Sequence, residues 1–207
     1  ILDINFDSRS KLLNTQIISK DVKLNFKNEF DLNKKKGTLN LAYLNKKKSV
    51  NYILKDNFLS FYYPTKKTDQ EDSLKGLVNF KPFSLNLKSN FNKLDLTNLF
   101  NQESLFISLL KSKILFNKNL SIYGDLIAKK VLTFDTLDNF STKFTIEKGY
   151  LDLIEAKFYW RDYARFKALD NLIFLDNKNL ILDGKLIIYV QDLKKIFRFF
   201  QTPKKFR

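Results

Sequence analysis

Apolar residues recur at every second position through most of this chain, and short polar turns interrupt them. The pattern is densest from Phe140 to Val190. There Phe140, Phe144 and Ile146 lead into the turn Glu147-Lys148-Gly149-Tyr150, followed by Leu151, Leu153, Phe158 and Trp160. It continues through Leu172, Phe174, Leu180, Leu182, Asp183-Gly184 and Leu186 to Val190. Successive side chains of a strand point to opposite faces, so this spacing makes one apolar and one hydrated face.

The same reading runs along the rest of the chain. Leu2, Ile4 and Phe6 predict a strand, Ser8 to Ser10 a turn, and Val22, Leu24 and Phe26 a second strand. Asn33 to Gly37 reads as a basic turn with Gly37 free to take a positive φ, and Asn45 to Ser49 as another turn. Between and after them come Leu39, Leu41 and Tyr43, then Val50, Tyr52 and Leu54, the turn Asp56-Asn57, and Phe58 to Tyr63. Consecutive antiparallel pairing is expected for such a meander. Pro64 to Ser73 is the least apolar segment and reads as a loop, dividing a meander over 1–73 from a β-rich region over 74–207.

Leu74, Gly76 and Val78, then Phe83, Leu85 and Leu87, resume the alternation. The period shifts towards 3.6 at Leu99, Phe100, Phe106, Leu109 and Leu110, which predicts one amphipathic helix over 97–110 capped by Thr97 or Asn98. Asn117-Lys118-Asn119 and Asp135 to Asn139 read as turns, and Gly124-Asp125 as an interruption between Ile122 and Leu126. Asp192 caps a second short helix, near 192–200, with Leu193, Ile196, Phe197 and Phe200 on its apolar side. The expected fold is mainly β: a long, twisted, curved antiparallel sheet, groove-like, with one or two short covering helices. Such helices roof little of the apolar face, which leaves an open trough and a folded-over β-sandwich as the two ways to bury it.

Composition adds three things. At 207 residues and 44% apolar, the chain holds enough material for a core, as one domain or a slice of a longer sheet. It has no apolar run near the length of a spanning helix and no signal peptide; with no Met, and Ile1 already inside an alternating run, it reads as a fragment of a longer protein. The net charge of +15 points naively to an anionic partner. However, Lys, Asn, Ile, Phe and Tyr abound while Gly and Pro number 5 and 3, and AT-rich codon usage accounts for most of that charge.

Candidate chemistry is sparse. There is no His and no Cys, which removes the usual general base, the zinc and thiolate ligands and any disulfide framework. Gly residues are too far apart for a phosphate-binding loop. Asp152 and Glu155, beside Tyr159 and Trp160, are the nearest thing to a carboxylate pair, and a hydrated strand face explains them more simply. Phe158, Tyr159, Trp160, Tyr163 and Phe166 lie among Lys157, Arg161 and Arg165, a mixture able to stack bases, yet period two sets Phe158 and Trp160 on one face as core. Lys194, Lys195, Arg198, Lys204, Lys205 and Arg207 read as a solvated helix face before a headgroup contact. No catalytic, metal or cofactor site is expected.

From about Leu85 onward the chain resembles the carboxy-terminal region of AsmA-like proteins, in the wider group of translocation and assembly module proteins. The resemblance is carried by Leu94-Asp95-Leu96-Thr97-Asn98-Leu99-Phe100, by Asn117-Lys118-Asn119-Leu120, and by the hairpins Glu147-Lys148-Gly149-Tyr150 and Leu182-Asp183-Gly184-Lys185-Leu186. The ending Phe199-Phe200-Gln201-Thr202-Pro203-Lys204 adds to it. It implies a long twisted β-groove on the periplasmic side of the inner membrane, held by an amino-terminal membrane helix outside this stretch, in phospholipid transport toward the outer membrane or in outer-membrane assembly. The resemblance matches no groove position residue by residue; from the alternation itself, acyl chains would lie on the apolar strand faces, for example Phe83, Leu85, Leu87, Phe144, Ile146, Phe158 and Trp160. A basic nucleic-acid- or ribosome-binding protein is the alternative, and a ligand-free structural β-domain a third reading.

Overall fold

Among the described residues, thirteen strands hydrogen-bond in chain order into one open, curved sheet. A computed structural model describes residues 1–20, 23–43, 46–63, 72–101, 103–111, 114–132, 136–177 and 179–206. The amino-terminal strands are β1 (Leu2–Asp7), β2 (Leu12–Ser19), β3 (Leu24–Asp31), β4 (Lys36–Tyr43), β5 (Lys46–Lys55), β6 (Phe58–Tyr62), β7 (Ser73–Phe80) and β8 (Phe83–Asp95). After a helical crossover follow β9 (Ser121–Leu132), β10 (Thr136–Glu147), β11 (Tyr150–Trp160), β12 (Ala164–Asp176) and β13 (Asn179–Val190). The ladder runs on without a break from β6 to β7 across residue 73. Val22 and most of the expected loop at Pro64 to Ser73 lie outside the described residues.

One pair departs from the expected antiparallel order: β8 and β9 are parallel. Parallel neighbours need a crossover of a dozen or more residues, and the helical segment supplies it. That segment is not the single helix expected over 97–110. It consists of α1 (Leu96–Phe100), α2 (Leu105–Lys111) and a 3-10 turn, Ile114–Phe116. The caps explain the split. Asp95, and neither Thr97 nor Asn98, caps α1, its carboxylate accepting from Asn98 N at 3.0 Å. Ser104 N donates to the Asn101 carbonyl, and Ser104 Oγ then accepts from Ile107 N at 3.1 Å, which starts a new helix. The second expected helix forms as α3 (Leu193–Phe199), capped by Asp192 through Lys195 N at 3.0 Å.

Several expected turns are strand. Lys46 to Ser49 opens β5, Thr136 to Asn139 opens β10, and Gly124 and Gly184 lie inside β9 and β13. The Leu182 to Leu186 hairpin is therefore absent, and β12 turns into β13 near Asn177, whose φ is 46°. The Lys148-Gly149 hairpin is as expected, with φ of 53° and 82°, the pair of positive angles a type I′ turn needs.

The core lies where the crossover folds back onto the sheet. Ile107 and Leu110 of α2 and Leu115 pack on Ile122, Ile146, Leu151 and Ile173, one aliphatic from each of β9 to β12. Leu110 is 1% exposed. Burying such a side chain contributes about 1.5–3 kcal/mol. The 3-10 turn is fastened by Gly149 N donating to the Leu115 carbonyl at 2.8 Å, with the Phe116 ring lying on Gly149.

Candidate functional site

Cross-strand registers show that the alternation is coherent over the whole sheet. One row of directly opposed residues runs Phe6, Leu13, Phe30, Gly37, Tyr52, Phe61. It continues as Gly76, Leu87, Gly124, Phe144, Leu153 and Asn171. The adjacent row is wholly aliphatic from β5 to β13: Leu54, Leu59, Val78, Leu85, Ile122, then Ile146, Leu151, Ile173 and Leu182. The opposite face is hydrated. Gln16 bonds Asn25 there, Thr38 bonds Asn51, and Asn79 bonds Ser84.

Bulges keep these rows in phase where simple period two would lose them. Opposite Lys143 and Phe144, β11 carries one extra residue, Ile154, so that Leu151 and Leu153 share a face with Ala156, Phe158 and Trp160. In β12 a register shift around Asp170, with φ of 51°, does the same for Ala164, Phe166 and Ala168 against Asn171 and Ile173. An extra residue turns the following side chains to the other face.

Glycines set the floor of this face. At Gly37, Gly76 and Gly124 an added Cβ would fall 2.3 Å from Tyr52, 2.0 Å from Phe61 and 2.2 Å from Phe144. Each ring lies flat over a neighbouring glycine instead of standing up from the sheet. Phe30 and Tyr52 stack across Gly37, with centroids 5.7 Å apart and planes 9° from parallel. The role expected of Gly37, a positive φ in a turn, belongs instead to Lys35, at 50°. Gly124→Val should drive Phe144 off its seat and cost about 1–3 kcal/mol in urea unfolding. Adding Phe144→Ala to that variant should recover part of the loss, whereas Phe144→Ala alone destabilises; simple additivity would refute the overlay.

The apolar face is the concave one. Tyr43 stands on that face of β4, opposite Leu24, yet its hydroxyl hydrogen-bonds the Glu103 carbonyl and lies 3.1 Å from Ser108 Oγ of α2. A helix seated on β9 to β12 reaches a side chain of β4 only if the sheet curls around it. The right-handed twist of adjacent strands accumulates into such coiling. At element scale the helices pack on β9, β10 and β12. Over β2 to β7 most of the apolar row is half-buried, including Phe26, Leu39, Leu41, Val50, Leu59 and Phe61; only Leu24 and Phe30 fall below a tenth exposed.

All seven residues singled out from the sequence share this face, on β8, β10 and β11. Their surroundings differ. Phe83 is exposed, while Leu85, Leu87 and Phe144 border the aliphatic core and Phe158 stacks on Phe166 with centroids 4.8 Å apart. Ile146, 8% exposed, is sealed under the crossover. Trp160, 7% exposed, is sealed by Tyr163, Phe199 and Phe200. These two present no free surface. The amino-terminal half of the face belongs to the same surface, and Phe26, Leu39, Leu41, Val50 and Tyr52 carry the alternation that marks it.

Polar groups on this face are few. Tyr52 Oη donates to Asn28 Oδ1 at 2.7 Å, and burial holds its phenol above the ordinary value, partly offset by that bond. Asn171 is 5% exposed and its Nδ2 has no hydrogen-bond partner. The hydrated face carries a hollow of about 560 Å³ lined by Glu29, Asp31, Lys36, Thr38 and Asn51. No group of three or more acids that could hold a metal occurs among the described residues. Glu155 ion-pairs with Lys167 at 3.0 Å and Lys157 at 3.1 Å, which hold its carboxyl below the ordinary value. A depressed folded pKa gives stability that is present above the unfolded value and lost as pH falls through the folded one. Lys167→Met should therefore move the Glu155 titration up, toward the ordinary value, by carboxyl NMR; an unmoved titration would show that the pair does not persist in solution.

No protein-family model matches the chain, and comparison with curated proteins finds no match.

Proposed function

We propose that this chain is a non-enzymatic lipid-binding module of a cell-envelope protein, with phospholipid acyl chains lying along the concave apolar face. One observation carries the reading: an apolar row that runs across all thirteen strands and that, among the described residues, the chain's own helices roof chiefly over β8 to β12. A long apolar surface left partly open in this way marks a ligand or partner surface. An AsmA-like envelope protein anchored in the inner membrane, with its groove in the periplasm, fits such a trough. Among the described residues no helix is long and apolar enough to cross a membrane, so that reading places the anchor elsewhere in the protein.

The nucleic-acid alternative draws on the net charge and on Tyr159 and Tyr189, which share the hydrated face with Lys157, Arg165 and Lys167; Phe158 and Phe166 stack on the apolar face, away from those cations.

Native mass spectrometry of the purified chain should show co-purified phospholipid. Leu39→Asp and Leu59→Asp, each placing a charge on the half-buried floor, should strip it, because an unpaired carboxylate under an acyl chain is strongly unfavourable. Asn40→Asp makes the same kind of charge change on the hydrated face and should leave the lipid in place. Lipid-free wild type, or equal loss in all three folded variants, would overturn the proposal.

A further inference from the structure

The carboxy-terminal edge of the sheet ends in an exposed apolar corner. On β13 the apolar phase stays open, with Ile188 and Val190 about half exposed. Leu193, the first residue of α3, and Phe200, which follows its last, are 52% and 62% exposed. These residues form one patch. Val190 pairs with Ala164, which pairs with Trp160. Phe199 and Phe200 pack on the Trp160 ring at 4.9 and 5.7 Å. Gln191 N and Asp192 N both donate to the Tyr163 carbonyl, closing the strand end onto the β11–β12 turn.

Cations accompany the patch. Lys194 and Arg198 stand exposed on α3 itself, and Lys204 is exposed in the 3-10 turn that follows it. The Arg161 guanidinium lies 5.5 Å from the ring centroids of both Tyr163 and Phe199. The acids of the corner are engaged: Asp162 pairs with Lys195, and Asp192 caps α3. The corner thus combines aliphatic and aromatic side chains with an excess of positive charge, and its one indole sits beneath two phenyl rings.

We propose that this corner docks on the surface of an anionic phospholipid bilayer. Leu193, Phe200, Ile188 and Val190 would enter the boundary between headgroups and acyl chains, while Lys194, Arg198 and Lys204 meet headgroup phosphates. Charge complementarity selects this occupant. A second copy would bring like charges together, and a nucleic acid gives the exposed aliphatic side chains no partner. The proposal stands apart from the trough, since docking requires no lipid in it.

The full chain is sedimented with vesicles of phosphatidylcholine alone and of phosphatidylcholine mixed with phosphatidylglycerol. Binding is expected to the mixed vesicles, falling with salt. Each cation lost should weaken it about fivefold, so Lys194→Glu with Arg198→Glu should weaken it by well over tenfold. Leu193→Ser with Phe200→Ser, both at exposed positions, should weaken it as well. Trp160 is the only tryptophan, so brominated acyl chains in the mixed vesicles should quench the protein's indole emission. Lys27→Glu with Lys36→Glu, on the hydrated face of β3 and β4, is the control pair. Equal binding to both vesicles, equal weakening by the control pair, or full displacement by an RNA oligonucleotide that itself binds through Lys194 and Arg198 would overturn the proposal. Lipid adducts in native mass spectrometry are read separately, so an empty trough and a failure to dock are distinguishable.

Discussion

Lengthening a single-chain lipid probe by four methylenes should tighten its binding to the concave face by about two hundredfold. Each buried methylene contributes about 0.8 kcal/mol, roughly a factor of four in affinity. The slope should hold over ordinary chain lengths, because strands about 4.8 Å apart give thirteen of them a span of about 60 Å along the row. Titration of a homologous series by calorimetry or fluorescence displacement measures the slope directly. Leu39→Asp should flatten it, since the charge interrupts the continuous floor laid by Phe30, Tyr52 and Phe61. A series whose affinity is insensitive to chain length would mean that only headgroups are held, and the trough would lose its proposed use.

Leu110→Ala should lower the unfolding free energy by about 2–5 kcal/mol, the range for a fully buried leucine whose cavity cannot collapse. Leu110 sits between Ile107, Leu115 and the aliphatic row of β9 to β12, and that row is hydrogen-bonded strand with little freedom to move inward. The loss should be uneven along the sheet. Amide exchange should quicken most in α2 and in β9 to β12, and least in β2 to β5, which the core does not touch. A cost below about 1 kcal/mol in urea unfolding, or uniform quickening throughout, would show that the crossover is not what anchors the carboxy-terminal strands.

These two expectations draw on parts of the molecule that were unequally visible in the amino-acid order. β1, β4, β6, β8 and the Lys148-Gly149 hairpin follow from local alternation and turn chemistry, as does the Asp192 cap of α3. β2 was invisible because Leu12-Leu13 and Ile17-Ile18 place apolar residues on both faces, which erases the period. Gly37, Gly124 and Gly184 resembled turns because glycine is read locally as freedom of φ. Their actual neighbours, Tyr52, Phe144 and Asn171, come from adjacent strands. The split between α1 and α2 turned on Ser104, whose cap competes with helix continuation. Of the seven residues expected to line a groove, Ile146 proved to be roofed by the crossover and Trp160 by Phe199 and Phe200 together with Tyr163, and no periodicity announces a roof.

Side-chain order along the chain was enough to define a ribbon with an oily side and a wet side, because strand geometry converts spacing into facing without help from distant residues. Which way that ribbon curls, where it is roofed, and which strands keep phase through a bulge were settled by contacts between distant residues. Tyr43 meeting the start of α2 makes the oily side concave. The parallel β8–β9 pair drops the crossover onto only part of it. Such contacts depend on register and packing, which no local stretch of residues encodes.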